Sequence, residues 1–411
     1  MAVTQRGIAL IAVTLALAVI TTITMEFNYS TNVDYASAAN ARDAMRAHFL
    51  AKSVMNMSQM LLKVQRDLLD KSRNQLRNLG LPDVQIADFM SMLEVPMCGT
   101  KEELADMAQL AHIDVNNMKG LGLDYGACRV ETFISEDGKI NLNCANSDEK
   151  TRTNLAAALS GMVASPAYEA LFQERDGDNQ FTDRATFVKA LIDYVDRDEA
   201  GYGGGGATED YGYEANRDSY RAKNNYIDSA DELNLVRGMD DRKWEIFGPE
   251  LTAYGGCKVN VSATQSGTQL MGLLYASAKD KNDPVLLDVR KLYLLANRVA
   301  QARTLGYPFD TIQKFIEFVA DPDAALGLKA ADGGGLGAQL GLPPVDGLAL
   351  DPAELNKIAN VGARRTYRIV AAAQVGRVEK RIIGVFDQKV TLQNSRDPEN
   401  KNGAWVYWRE E

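Results

Sequence analysis

Hydrophobic positions fall into three regimes along this 411-residue chain. The first is an unbroken apolar run from Ile8 to Met25, "IALIAVTLALAVITTITM", free of charge, glycine and proline. About 18 such residues make roughly 27 Å of helix, enough to cross the hydrocarbon of a bilayer. No glycine or proline follows until Gly80, and "AANARDAMRAHFLAKSVMNMSQMLLKVQRDLL" is rich in helix formers, so the pattern predicts that the helix continues. In the second regime Leu50, Val54, Met57, Leu61, Val64 and Leu68 recur at alternating spacings of four and three. That is an apolar stripe on one helix face, predicted to pack on a globular domain. A self-associating coiled coil is the alternative, although about three heptads is short for one.

The third regime mixes short alternating runs with helical periods. "CRVETFISEDGKINLN" predicts a hairpin turned by "EDG", and "CKVNVSA" at 257–263 predicts another short strand. Between them lies mostly helical, acidic sequence, so the simplest architecture is a helical domain inserted into a sheet with strands on both sides. "RTYRIVAAAQVGRVEKRIIGVFDQKV" predicts two strands meeting at Gly376, and "GAWVYWREE" a last aromatic strand. "DVRKLYLLANRVAQARTLGYPFDTIQKFIEFVA" is helical by period, and the stretch around 326–347 is a glycine-rich loop. The predicted fold class is α+β: a long N-terminal helix packed on an antiparallel sheet, with a large inserted α-helical domain.

Charge narrows the function classes. The formal net charge is −10, which works against the phosphate attraction that drives nucleic-acid binding, so no nucleic-acid partner is expected. Arg6 and the free amine are the only charges before the apolar run, which predicts a cytoplasmic N-terminus with the bulk of the chain outside. Cys98, Cys128, Cys144 and Cys257 form no CxxC pair, and there are 2 histidines, so a zinc site is not indicated. In an oxidising compartment the four cysteines allow up to two disulfides in any of three pairings.

Two features bring a family into view. The leader "MAVTQRG" followed by "IALIAVTLALAV" resembles a prepilin-type signal. The succession "GKINLN…LIDYVDRDE…ED…DELNLVRGM…KVNV", closed by "VYWREE", is similar to the type II secretion minor pseudopilin K family along most of the chain. The resemblance implies cleavage after Gly7 by a prepilin peptidase and methylation of Ile8. Counting from Ile8, the fifth position is Ala12, where most pilins and pseudopilins carry a glutamate; lacking it is characteristic of this family and suits a filament tip. The implied division is a leader at 1–7, a membrane and stem helix at 8–80, a first β part at 81–144, an inserted acidic helical domain at 145–256, and the remainder at 257–411. Implied partners are minor pseudopilins I and J, the major pseudopilin, and by contact the outer-membrane secretin or secreted substrates. The implied location is the bacterial inner membrane, single-pass, with most of the chain periplasmic.

The densest chemistry is "LIDYVDRDEAGYGGGGATEDYGYE", with Asp193, Asp196, Asp198, Glu199, Glu209 and Asp210 around a glycine-rich turn. On composition alone this is a solvated acidic loop, although hard oxygen donors on a flexible turn suit Ca2+. The resemblance implies a calcium-bound loop here, with Asp196, Asp198 and Glu209 as ligands and Glu199 and Asn224 next. "ERDGDNQFTD" fails the EF-hand template, since counting from Asp176 places Phe181 at position six and Phe187 at position twelve. It is predicted to be a helix-capping turn. "GYGGGG" lacks the lysine of a phosphate loop. "SADELNLVRGMDDRKWEIFGPELT" resembles a helix-hairpin-helix, but Asp231, Glu232, Asp240 and Asp241 flank its turn and would repel phosphate. His48 and His112 lie near no nucleophile motif, and no enzymatic activity is expected. The leading functional expectation is a minor pseudopilin capping the pseudopilus tip in type II secretion. Alternatives are a minor pilin of a type IV pilus or a membrane-tethered nucleic-acid-binding protein.

Overall fold

A computed structural model describes residues 3–72, 75, 85–92, 96–99, 126–175, 180–204, 213, 220–304, 306–329, 337, 341–389 and 403–411. Helix α1, Val3–Val64, is a single helix of 62 residues, and it ends in a π-helical turn at Gln65–Leu69. Along its first half the large apolar side chains from Leu10 to Phe27, and Tyr29, Val33 and Tyr35 after them, are exposed. An apolar helix uncovered on all sides is stable in lipid or among other helices, not in water.

Coverage begins at Ala47 and continues through Ala51, Val54, Met55, Ser58, Leu62 and Gln65. This corrects the predicted stripe. Val54 is buried, Leu50, Leu61 and Val64 are half-buried at its edge, and Met57 and Leu68 are exposed. The reason is close approach: a Cβ on Gly384 of the sheet would lie 2.5 Å from Met55 Cε. Alanine and serine therefore share the buried face with Val54, Met55 and Leu62.

The sheet that covers α1 contains β1 (Pro96–Cys98), β2 (Ala127–Ser135), β3 (Thr366–Val375), β4 (Val378–Asp387) and β5 (Ala404–Glu410), in that spatial order and antiparallel throughout. β3 and β4 form the hairpin anticipated at Gly376, whose φ of 60° suits a residue without a Cβ. β5 is the anticipated aromatic strand. Cys98 and Cys128 face each other across β1 and β2 and are joined as a disulfide.

The "EDG" stretch does not close a hairpin. Glu136–Gly138 is a 3-10 turn that carries the chain off the sheet, and the chain re-enters at Thr366, with Ser135 paired to Tyr367. The strands expected at "KINLN" and "KVNV" lie outside the five-stranded sheet. Ile140–Asn141 pairs in parallel with Leu251–Thr252, and Val259–Asn260 in parallel with Ala359–Asn360. Two adjacent strands thus bracket the whole helical body, and a sequence far from both ends supplies the pairing that local alternation had assigned to the sheet.

That body has its own core, a continuous cluster running from Ile140 to Ala359. It therefore extends beyond the 145–256 insertion and takes in the helices after Cys257. The helices α3 (Glu149–Val163), α4 (Arg184–Asp193), α5 (Asp241–Phe247), α6 (Gly267–Ser277), α7 (Val289–Thr304), α8 (Ile312–Ala320) and α9 (Pro352–Ile358) contribute to it. The α7 and α8 helices match the expected helical period. α3 and α6 cross at Gly161 and Gly272: a Cβ on Gly161 would lie 2.5 Å from Gly272 O, and one on Gly272 2.8 Å from Met162 Cα. Only glycine permits that contact. Cys144 and Cys257, with Cα atoms 5.6 Å apart, form the second disulfide, which selects one of the three pairings.

A second cluster, from Ala51 to Phe386, joins the stem helix to the sheet. Between the two clusters the junction is built from buried charge. Glu136 is fully buried and accepts from Arg368 Nε of β3 at 2.9 Å, Lys139 Nζ at 3.0 Å and the Thr252 hydroxyl. Burial pushes its pKa up, but Lys139 and Arg368 outweigh this and hold it at about 2. Helix α2, Ile86–Met92, beside the stem, places Asp88 against Arg364 (2.7 and 2.9 Å) and Arg303 (2.9 Å). Glu250 lies in the same junction, in a cavity of 260 Å³ lined by Ser135, Lys139 and Ser266. Burial raises its pKa to about 7, against the opposing pull of the Ser266 hydroxyl and Lys139.

Candidate functional site

The acidic loop begins where α4 ends. Asp183 caps α4 by accepting from Thr186 N at 2.7 Å, which is the capping role expected of the segment that failed as an EF-hand; Asp176 and Asp178 lie outside the described residues. Past Asp193 the chain turns tightly, with Asp196 N bonded to Ile192 O at 3.0 Å, and the Asp196 side chain becomes fully buried.

Arg152 of α3 organises this turn. Its Nη1 lies 3.1 Å from Asp196 Oδ2 and 2.8 Å from Asp198 Oδ2, and its Nε donates to Ala145 O at 3.0 Å. The Arg152 side chain lowers the Asp198 pKa, and Asp198 in turn raises that of Arg152. Asp193, half-buried beside them, has its pKa pushed up by that burial while its carboxylate accepts from Tyr202 N at 2.7 Å.

Asn224 ties a distant segment to the same turn. Its amide N donates to Tyr194 O at 3.1 Å and its Nδ2 to Asp198 O at 3.2 Å. It has a φ of 48°, a left-handed conformation that asparagine tolerates better than most residues. The Oδ1 of Asn224 is buried without a hydrogen-bond partner, and so is the Oδ1 of Asn146, whose Nδ2 donates to Val195 O at 2.8 Å. Buried amide oxygens without a donor are costly, and such atoms call for an explanation.

Of the five anticipated ligands, the structure brings Asp196, Asp198 and Asn224 together. Glu199 is exposed on the turn, and Glu209, like Asp210, lies outside the described residues. Among the described residues no group of three or more acidic, histidine or cysteine side chains converges on one point. Two participants were missed: Arg152, which already balances both carboxylates, and Asn146. Nothing in "SDEKTRTNL" marks Arg152, since its role depends on α3 lying beside the end of α4. The donor set is nonetheless one that fits calcium: oxygen atoms only, two of them buried amide oxygens without a hydrogen-bond partner.

The other motifs resolve into structure. The first half of the hairpin-like pair is a 3-10 turn at Ala230–Leu235, and Asp240 caps α5 while its carboxylate accepts from the buried Lys243 Nζ at 2.9 Å. His48, on the stem, lies 3.5 Å from Glu410 of β5; His112 lies outside the described residues.

The processing segment is part of α1, which runs through Gly7 and Ile8 without interruption. Of the described helices α1 alone is long and apolar enough to cross a membrane as one span, and none of its most apolar window is buried.

Comparison with curated proteins finds no match. A structural comparison finds similarity to a chain of "The Crystal Structure of the GspK-GspI-GspJ complex from enterotoxigenic Escherichia coli Type 2 Secretion System", at 14% identity and a TM-score of 0.42, over 75% of this chain and 92% of that one. The family described as "Type II secretion system (T2SS), protein K" matches residues 138–256, the stretch from the turn off the sheet to the residue before Cys257. Across those residues the chain is similar to the type II secretion protein K family.

Proposed function

We propose that this protein is a minor pseudopilin that caps the tip of a periplasmic pseudopilus in type II secretion. The observation that carries this is α1: one continuous helix whose first half presents apolar side chains to its surroundings and whose second half is fixed to a sheet. Such a helix is held by the lipid of the inner membrane before assembly and by neighbouring helices after it. Cleavage after Gly7 with methylation of Ile8 would free the helix for that transfer, and Ala12 places no carboxylate where a subunit stacked beyond this one would bring its amine. The helical body, bracketed between β2 and β3, adds bulk that blocks further stacking.

The direct test is co-purification of the full chain, in detergent, with minor pseudopilins I and J. A stable three-way complex is expected; failure of all three to associate would overturn the proposal. Gly7→Ala should leave the chain at its unprocessed mass, read by mass spectrometry.

We further propose that Ca2+ binds the acidic loop through Asp196, Asp198 and Asn224, with Glu209 and Glu199 as further candidates, and that it supplies the positive charge that fixes this turn. Arg152 shares the same carboxylates, so calcium must displace or supplement its contacts. Calorimetry should therefore show calcium binding that tightens in Arg152→Met, and chelation should lower the melting temperature. No heat of binding in either protein would remove calcium from the proposal.

A further inference from the structure

A second polar cavity, of about 110 Å³, opens where the stem-side helix, α7 and the segment leading into β3 meet. Among the described residues it is lined by Arg303, Arg364, Ser262, Tyr307, Asp310 and Gly362, with Gln85 at its edge. The two arginine side chains are 8% and 6% exposed, an unusual degree of burial for guanidinium groups. Both lean on one carboxylate, Asp88, which accepts from each of them. The other acid at the cavity, Asp310, is bound to Lys314 at 3.0 Å.

Arg303 is the more telling of the two. Its Nη1 is used by Asp88, and its Nε is buried with no acceptor. Burial and the neighbouring Arg364 both work against its charge, and Asp88 compensates in part. A buried guanidinium N–H without an acceptor is costly, and a carboxylate that reaches it would meet it through a charge-assisted hydrogen bond, roughly twice as strong as a neutral one.

We propose that this cavity is a binding site for a carboxylate group, received between Arg303 and Arg364. Its volume suits a single carboxylate and its short stem, and it excludes anything as large as a nucleotide. The carboxylate comes from one of two sources: a small free anion, or an acidic side chain presented by a partner subunit. Arg303 is the residue that reads it, because its unsatisfied Nε is the donor left over after Asp88.

The full chain in detergent is titrated with sodium acetate against sodium chloride at constant ionic strength, and the melting temperature is followed. A saturable rise with acetate alone is expected. It should be lost in Arg303→Met, with apparent affinity down at least tenfold, and largely kept in Arg303→Lys. Should Arg303→Met fold poorly, Ala363→Leu provides a second route: Ala363 lines the cavity from an exposed position, so filling the mouth should abolish the acetate effect with both arginines intact. No saturable acetate effect in the wild type, or an equal one in Ala363→Leu, overturns the proposal. With binding established, the source follows from competition. Saturating acetate that releases a co-purifying subunit assigns the carboxylate to that partner, and an undisturbed complex assigns it to a free anion.

Discussion

The stem-and-sheet core and the helical body are built by opposite means. In the first, close approach dominates: Ala47, Ala51 and Ser58 let the sheet sit against the helix, and Met55 fills the space above Gly384. In the second, aromatic and branched side chains such as Phe187, Phe247, Phe315 and Phe318 fill a wide interior, and glycine appears where α3 meets α6. The two apolar clusters do not merge; ion pairs span the gap. Hydrophobic burial therefore stabilises each region separately, and buried charge fixes how one sits on the other. Charge of this kind contributes little net stability, yet breaking one partner of a pair is costly, so orientation is what it secures.

The largest test of that contrast is Asp88→Ala. It leaves Arg303 and Arg364 buried against each other and should cost on the order of 4 kcal/mol, with calorimetric unfolding splitting into two transitions. A single unsplit transition would mean that the two cores unfold as one. Next is removal of the Cys144–Cys257 bridge by paired serine substitutions. Loss of a native bridge typically costs about 3 kcal/mol, and the loss should appear in the helical body's transition while that of the stem and sheet stays in place.

Glu250 gives a pH-dependent test. Its folded pKa, about 7, lies above the ordinary value of 4.5, so the native state holds a proton there that the unfolded chain gives up. Its contribution is complete below about pH 4.5 and is lost as the pH rises through about 7, a loss of about 3 kcal/mol. Glu250→Gln should flatten denaturation midpoints across that window. Glu136 acts in the opposite sense and in a separate window: with its pKa held at about 2, its contribution is lost as pH falls from 4.5 through 2. Smallest is Asn224→Ala, which removes the bond to Asp198 O and leaves a residue less tolerant of φ 48°. About 1 kcal/mol is expected in thermal melts, confined to the helical body.

How much of this was legible in the sequence follows the range of the interactions. The membrane-length run, the turn at Gly376 and the aromatic last strand depend on neighbours in sequence, and each is where its pattern placed it. The cap at Asp183 was visible for the same reason. "KINLN" and "KVNV" misled because both alternate like sheet strands, while their partners, Leu251–Thr252 and Ala359–Asn360, lie about a hundred residues away. The buried face of α1 was misjudged because a stripe of large apolar residues overlooks Ala47, Ala51 and Ser58, which are buried beside Val54, Met55 and Leu62. In the acidic loop, the carboxylates were conspicuous and Arg152 was not, since charge balance there comes from an adjacent helix.

The adjacency of β2 and β3 has a mechanical consequence. A pull transmitted along the stem reaches Ser135 and can cross directly to Tyr367 by strand-to-strand hydrogen bonds, bypassing everything that the chain builds between them. The helical body hangs off the load path as a closed loop, so tension carried by the stem and sheet would pass it by without unravelling it.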